Sequence, residues 1–420
     1  MKYDVAIIGA GTAGATAAQL ASKEFETIVI DAGKNAEYRP CAGVFPDHNN
    51  YGFDPIPDNV FTRDHRTMCY MDNEGKKAIV RGAEFGRKLG KILYLPRYLE
   101  YAIGSAEKKS TTFCFQTKAI QVQISDDEVT IRCESNGQTR EIRSDVVFIA
   151  TGGNDFHLNS QLGFNVPRVH KGIQAEFQKD ESALSEWEGE YTFHVNSKLS
   201  QTGPFYVIRR VGEFDVGLID REVSLEKFKN ILERHKPFQS LFQGAKPLQV
   251  EGKNQHIFVA NIATDPIKEI VNNRVLLLGD AAGMVTPFYY EGVGIGRYAA
   301  LYAVDHLKTL RAENRPPTRE HLLPYQERVH RDLTGKLYKS GTTSRMVFFE
   351  NSSMDTCFSS YINAVNNNKD VREKIVYAYW NNPANYKFSN DSDVGRKVYE
   401  NLPFTKKITL LPLFLKASFQ

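Results

Sequence analysis

The sequence predicts an α/β protein: a parallel-sheet lobe split in sequence, an antiparallel β-sheet lobe inserted between its halves, and a helical region closing the chain. Three observations carry the prediction. The first 31 residues read strand, glycine-rich turn, helix, strand. A second buried strand, Arg274–Leu278 (RVLLL), stands far downstream and runs into Gly279-Asp280-Ala281-Ala282. Between them lie stretches that alternate apolar and polar residues with few helical patterns.

Asp4–Ile8 (DVAII) is a short apolar run suited to a strand buried on both faces. Gly9–Gly14 is the turn, Ala15–Ser22 is small and helix-favouring, and Thr27–Ile30 (TIVI) is the next strand, closed by Asp31. This βαβ opening predicts a Rossmann-like nucleotide-binding domain. From about Glu107 to Ile149 the pattern is β-like (TTFCFQT, AIQVQIS, EVTIRCE, EIRSDVVFIA) and returns to the nucleotide sheet at Val146–Ala150. The stretches YTFHV, FYVIRRV and FDVGLI, within Phe156–Thr264, predict a separate antiparallel sheet that forms the substrate domain. Gly292–Leu310 is a long helical pattern, and the chain beyond about residue 318 is mostly helical. The expected division is 1–155 and 265–335 for the two parts of the nucleotide domain, 156–264 for the substrate domain and 336–420 for the helical C-terminal region.

Gly9, Gly11 and Gly14 form G-x-G-x-x-G between a strand and a helix. Gly9 permits the tight turn, Gly11 lets a pyrophosphate approach the backbone, and Gly14 lets helix and strand pack closely. The head of the helix, at Thr12 and Ala13, offers free N–H groups and a positive dipole end to phosphates. Asp31, followed by Ala32, stands where a carboxylate accepts from a ribose hydroxyl pair, and its charge disfavours the 2′-phosphate of NADP. This element alone serves FAD or NAD.

The second segment selects FAD. Asp280 at a strand end suits a ribityl hydroxyl, and the small residues after it admit the cofactor. A helix starting near Gly292 and Val293 would aim its N–H groups at the flavin N1–C2=O edge, which gains negative charge on reduction. NAD dehydrogenases need no such segment. No second G-x-G-x-x-G provides for a nicotinamide.

Composition is ordinary: 41% hydrophobic and 25% charged, with a net charge of +3 from 53 Lys and Arg against 50 Asp and Glu. With no concentrated basic stripe, a nucleic-acid partner is not expected. Cys41, Cys69, Cys114, Cys133 and Cys357 are far apart and odd in number, so neither a disulfide framework nor a zinc site is expected. A reduced, cytoplasmic compartment fits this, with no secretory leader or membrane-spanning helix expected. The apolar tail Ile408–Phe419, broken by Pro412, has two readings: packing on the body, or peripheral contact with a membrane surface.

The glycine turn, Cys41-Ala42-Gly43 and the Gly279–Gly294 block together resemble the geranylgeranyl reductase family, within the wider group of flavoproteins similar to p-hydroxybenzoate hydroxylase. The resemblance covers roughly residues 1–155 and 270–310. By position it implies that Arg97 contacts the FAD phosphates, that the backbone of Ala119 meets the adenine, and that Cys41 and Ala42 lie near the flavin. Where the family has Tyr-x-Trp-x-Phe-Pro-x-Gly, this chain carries Phe205, Val207, Arg209 and Arg210 ahead of Gly212. Phe288, Tyr289 and Tyr290 crowd the flavin-side loop, where the family usually has smaller residues.

The resemblance implies a flavin-dependent reduction of carbon–carbon double bonds in a polyprenyl or other apolar substrate. Cys41, Tyr206 and Tyr290 are the candidate proton donors, and NAD(P)H, ferredoxin or a reduced quinone the candidate electron donors. The alternative is an aromatic monooxygenase or halogenase of the same fold acting with O₂. Trp-x-Trp-x-Ile-Pro, expected of the halogenase version, is absent; the two tryptophans are Trp187 and Trp380. A third reading keeps FAD as a structural group in a binding protein.

Overall fold

The computed structural model describes residues 2–35, 40–248, 256–378 and 391–419. Its first sheet is built on parallel strands ordered Val275–Leu277, Gln138–Ile149, Lys2–Ile8, Thr27–Ile30 and Thr111–Cys114. Val5, Ala6 and Ile7 are fully buried, as a central strand covered on both faces requires. Register then decides where the ligand cleft opens. Ile8 pairs with both Ile149 and Ile30, and Ile149 pairs with Leu277. Four strand ends therefore finish in one row, and Gly9, Asp31, Ala150 and Gly279 leave the sheet along the same edge. That edge is the carboxyl end of the strands, where open α/β sheets bind ligands.

The second sheet runs Lys246–Pro247, Val169–Gln178, Glu213–Asp220, Phe205–Arg209, Tyr191–His194, Thr67–Met71 and Lys77–Arg81, with Ile257–Ala263 sharing with Lys246–Pro247 the edge of Val169–Gln178 away from Glu213–Asp220. It is mostly antiparallel, as expected, but not confined to residues 156–264. Thr67–Met71 pairs in parallel with Tyr191–His194, Met68 opposite Tyr191, and Lys77–Arg81 completes the edge. Residues 67–81 thus belong to the substrate sheet rather than the nucleotide domain. A small third sheet, Val44–Pro46, Gly90–Leu93 and Phe61–His65, carries the chain out of the Cys41 loop.

The C-terminal region is helical, as expected. Arg319–Val329 continues through a turn of π-helix, His330–Thr334, into Gly335–Phe348, so a boundary at 335 falls inside one helical run. Met354–Asn367, Lys369–Ala378, Asp391–Glu400 and Phe404–Phe419 follow. Phe348, Phe349, Phe358 and Tyr361 from these helices share one apolar cluster with Phe193, Tyr206 and Phe288. The helical region therefore backs the substrate side of the cleft.

Candidate active site

Gly9 adopts φ +106°, open to glycine but unfavourable for other residues. A Cβ there would fall 2.2 Å from the Ala150 carbonyl oxygen, and one at Gly14 would fall 1.8 Å from the Gly9 carbonyl oxygen. The turn thus packs onto the neighbouring strand end with no room for a side chain. The helix it feeds, Thr12–Ala21, has no side-chain cap and no acid in its first turn. Its leading amides face a cleft of about 800 Å³ lined by Gly9, Gly11, Thr12 and Ala13. Asp31 lines the same cleft, Oδ2 accepting from Ala10 N at 2.5 Å and Oδ1 from Gly33 N at 2.7 Å. Two amides fix this carboxylate in place. Ala32 and Ala119 line the cleft beside it.

Gly279, Asp280, Gly292 and Val293 enter this cleft from the second segment. A Cβ on Gly279, itself at φ +61°, would sit 3.0 Å from Ala13 Cβ, and one on Gly296 would sit 3.3 Å from the same atom. The two remote stretches therefore touch. Burial raises the Asp280 carboxyl to about 6 against the opposing pull of backbone amides. The helix Val293–Ala312 begins at Gly292, again with no side-chain cap and no acid in its first turn. Two uncapped helix heads thus meet at one cleft, one beside the glycine turn and one beside Asp280. An anionic dinucleotide carrying an electron-accepting ring answers both.

Arg97 is not brought to the cleft. It lies exposed in the first turn of Leu95–Glu107, its guanidinium donating to the Asn59 carbonyl at 3.2 Å. The helix begins at Leu95 with Pro96 in its first turn, so Arg97 lies within the helix rather than in a loop ahead of it.

Away from the glycine turn the cleft is lined by Gly172, Ile219, Phe258, Ile262, Phe288 and Tyr289. Cys41 and Ala42 form part of its wall, and Gly43 at φ +74° turns the loop tightly against Leu93. Burial pushes the Cys41 thiol up, opposed by the Gly43 amide and the Arg210 charge, so the sulfur keeps its proton at neutral pH.

Tyr206 and Tyr290 both line the cleft, but their hydroxyls are engaged. Tyr206 donates to Gln174 Oε1 at 2.9 Å. The Gln174 amide is oriented by its own donations to Glu176 Oε1 at 3.2 Å and Asp215 Oδ2 at 3.4 Å, which leave its oxygen toward Tyr206. Tyr290, in the left-handed region at φ +57°, donates to the Thr202 carbonyl and meets His170 Nδ1 at 3.0 Å. Burial lowers His170 to about 4, so its neutral ring donates from Nδ1.

The sequence reading missed two features. Arg210, which in sequence marks only a departure from a motif, is buried beneath the cleft and forks onto Asp215 at 2.8 and 2.5 Å, with Glu176 at 3.8 Å. It also donates to the Cys41 carbonyl at 3.4 Å, tying the second sheet to the Cys41 loop. The second is Glu291, whose burial holds its carboxyl at about 7 in the cleft wall. An acid directly ahead of Gly292-Val293-Gly294 was its only sequence signal. No group of His, Cys, Asp and Glu able to hold a metal occurs among the described residues.

Residues 3–187 match the pyridine nucleotide-disulphide oxidoreductase family. The chain is similar to the digeranylgeranylglycerophospholipid reductase of Methanococcus aeolicus, at 21% identity over 337 residues, 78% of this chain and 82% of that protein. Its fold is similar to that of a geranylgeranyl bacteriochlorophyll reductase-like protein from Thermoplasma acidophilum, with TM-score 0.78 at 15% identity over 94% of this chain and 99% of that one. A myxobacterial chondrochloren halogenase, an FAD-dependent enzyme, shares the fold with TM-score 0.67 at 16% identity over 99% and 97%. The chain is an FAD-dependent oxidoreductase. Within that class it is similar in sequence to digeranylgeranylglycerophospholipid reductases and in fold to a geranylgeranyl reductase-like protein.

Proposed function

We propose that this protein reduces carbon–carbon double bonds in a polyprenyl chain. When bound, FAD supplies the hydride. Gly11, Thr12 and Ala13 receive the pyrophosphate, Asp31 and Ala32 the adenosine ribose, and Ala119 the adenine. Asp280 takes a ribityl hydroxyl, while the amides following Gly292 and Val293 face the edge of the flavin that becomes electron-rich. One observation carries the choice of substrate. The chamber beyond the flavin loop is walled by Ile219, Phe258, Ile262, Phe288 and Tyr289, and Lys118, which lies beside Ala119 at the adenine end, is the only Lys or Arg among the described lining residues. A carboxylate-bearing aromatic would need a cation there; a hydrocarbon chain needs only a dry apolar wall. Trp187 belongs to the substrate-sheet core, donating to Thr192 Oγ1 at 3.0 Å, and does not line the cleft. Trp380 lies outside the described residues.

The C-terminal helix supports a lipid substrate. Leu410 and Phe414 are buried in the cluster that includes Phe348 and Phe358. Phe404, Ile408, Leu411 and Leu415 are 79%, 70%, 42% and 48% exposed, at spacings that make one stripe. Residues 401–420 contain Lys406, Lys407 and Lys416 and no acid. We read this stripe as the face that meets an anionic lipid surface, since a second copy would bring lysines against lysines. The helix packs on Gly335–Phe348, which carries Gly341 and Ser344 to the cleft wall. No described helix is long and apolar enough to cross a membrane.

Anaerobic reoxidation tests the reading. The dithionite-reduced protein, mixed with a geranylgeranyl phospholipid without oxygen, is expected to reoxidise and yield a more saturated chain. Turnover only with oxygen and an aromatic substrate would replace this reading with the monooxygenase one.

A further inference from the structure

Alkene reduction needs a proton as well as a hydride, and the three donors chosen from sequence are poorly placed to give one. The Tyr206 proton is directed into Gln174 and the Tyr290 proton into the Thr202 carbonyl. The Cys41 thiol is held protonated by burial, so it parts with its proton reluctantly. Asp31 is bonded to two amides, and Asp155 is paired with His157 and Lys118.

Glu291 differs from all of these. It lines the cleft between Tyr290 and the head of the helix Val293–Ala312. Its backbone is locked: Glu291 N donates to Thr286 Oγ1 at 2.9 Å, while the amides of Thr286 and Tyr290 donate to the carbonyls of Glu291 and Thr286 at 3.0 and 3.1 Å. Its carboxyl makes no hydrogen bond or ion pair with any described residue. A fixed backbone thus presents an unengaged acid to the chamber.

We propose that Glu291 is the proton donor of the reduction, a role that rests on the alkene-reducing reading above. The π bond of the alkene breaks; one carbon takes the hydride from the reduced flavin and the other takes the proton as the Glu291 O–H bond breaks. Two electrons pass to the substrate, the cofactor is left oxidised, and the Glu291 carboxylate is reprotonated from water before the next turnover. Burial, with no cation against it, keeps the carboxyl near 7, where an acid catalyst is half protonated under neutral conditions. The titratable groups around it are Tyr191 and Tyr206 from the substrate sheet, Tyr289 and Tyr290 from its own loop, Cys41 across the cleft, and Asp280 beside Gly292. Burial holds all three of Tyr191, Tyr206 and Tyr290 above their ordinary range and Asp280 at about 6, so Glu291 accounts for a limb near 7.

The test compares full-length, FAD-loaded wild type with Glu291→Gln and Glu291→Asp. Each is reduced with dithionite, mixed anaerobically with a geranylgeranyl phospholipid in micelles, and followed by flavin absorbance and product mass. Wild type is expected to slow by about tenfold per pH unit above 7. Glu291→Gln should keep its flavin content and its reduction by dithionite but reoxidise roughly 100-fold more slowly, without that limb. Glu291→Asp should recover part of the rate. A protonated-carboxyl band in the infrared should titrate near 7 in wild type and vanish in Glu291→Gln. A Gln variant within about threefold of wild type, or an unchanged infrared titration, overturns the role of Glu291 alone. A wild-type protein that yields no saturated product overturns alkene reduction itself, and the proton-donor role with it.

Discussion

Arg210 Nη2 lies 2.5 Å from Asp215 Oδ2, and both side chains are almost wholly shut off from solvent beneath the cleft. Glu176 adds a second buried carboxylate, so two acids share one guanidinium. Burial drives Asp215 well above its ordinary range while Arg210 pulls the other way. The same arginine reaches the Cys41 carbonyl, so a charge cluster of the second sheet helps set the position of the Cys41 loop in the cleft wall.

Arg210→Ala should destabilise the protein by about 3–5 kcal/mol, because removing one partner strands buried charge. Urea unfolding of the holoprotein measures this. The loss should shrink as pH falls toward 5, where the stranded carboxyls take up protons.

Asp280→Ala should lower flavin content at least tenfold, measured as absorbance per chain after desalting, with little change in the circular dichroism spectrum. Asp280 lies in the short helical turn Gly279–Ala282 beyond the buried strand and lines the cleft, outside the sheet itself. Full flavin occupancy in this variant would contradict the proposed ribityl contact.

The flavin-free protein should lose stability between pH 4 and 7. Asp280 and Glu291 are raised from 3.8 to about 6 and from 4.5 to about 7. A carboxyl raised on folding favours the folded state while protonated, so its contribution is complete below the unfolded value and gone above the folded one. For Asp280 this is on the order of 3 kcal/mol. Melting temperature against pH should fall over this window, and Asp280→Asn should flatten the lower part of the curve.

Binding to vesicles of anionic phospholipid should depend on the exposed stripe of the last helix. Ile408→Glu places a charge on its centre and should cut co-sedimentation at least fivefold, with turnover on micellar substrate retained. High salt should weaken wild-type binding only in part, because the apolar term is not screened.

The nucleotide lobe was readable from sequence because its signals are local. Gly9, Gly14 and Asp31 do their work within one βαβ unit, where spacing alone implies geometry. The strand Thr67–Met71 was assigned to the wrong lobe because its partner, Tyr191–His194, lies over a hundred residues away and no pattern in either announces the pairing. Arg97 followed a positional likeness, whereas the helix phase that turns it to solvent is set by Pro96 and the buried Tyr98 and Leu99. Hydroxyls and a thiol drew attention as proton donors, yet hydrogen bonds from distant strands decide which of them are free to act. Glu291 was overlooked for the same reason: its lack of partners is a property of the folded cleft, and the residue type alone does not reveal it.

Val275–Leu277 pairs with one side of Gln138–Ile149, whose other side is taken by Lys2–Ile8. During synthesis Val129–Ser135 covers the Gln138–Ser144 part of that flank, while its Val147–Ile149 end stays bare until the whole intervening lobe has left the ribosome. A nascent chain stopped before Val275 presents an open, apolar strand edge to its neighbours, a recruiting template for aggregation. Expression of fragments ending in the inserted lobe should therefore give insoluble material, even where that lobe has reached its own native pairing.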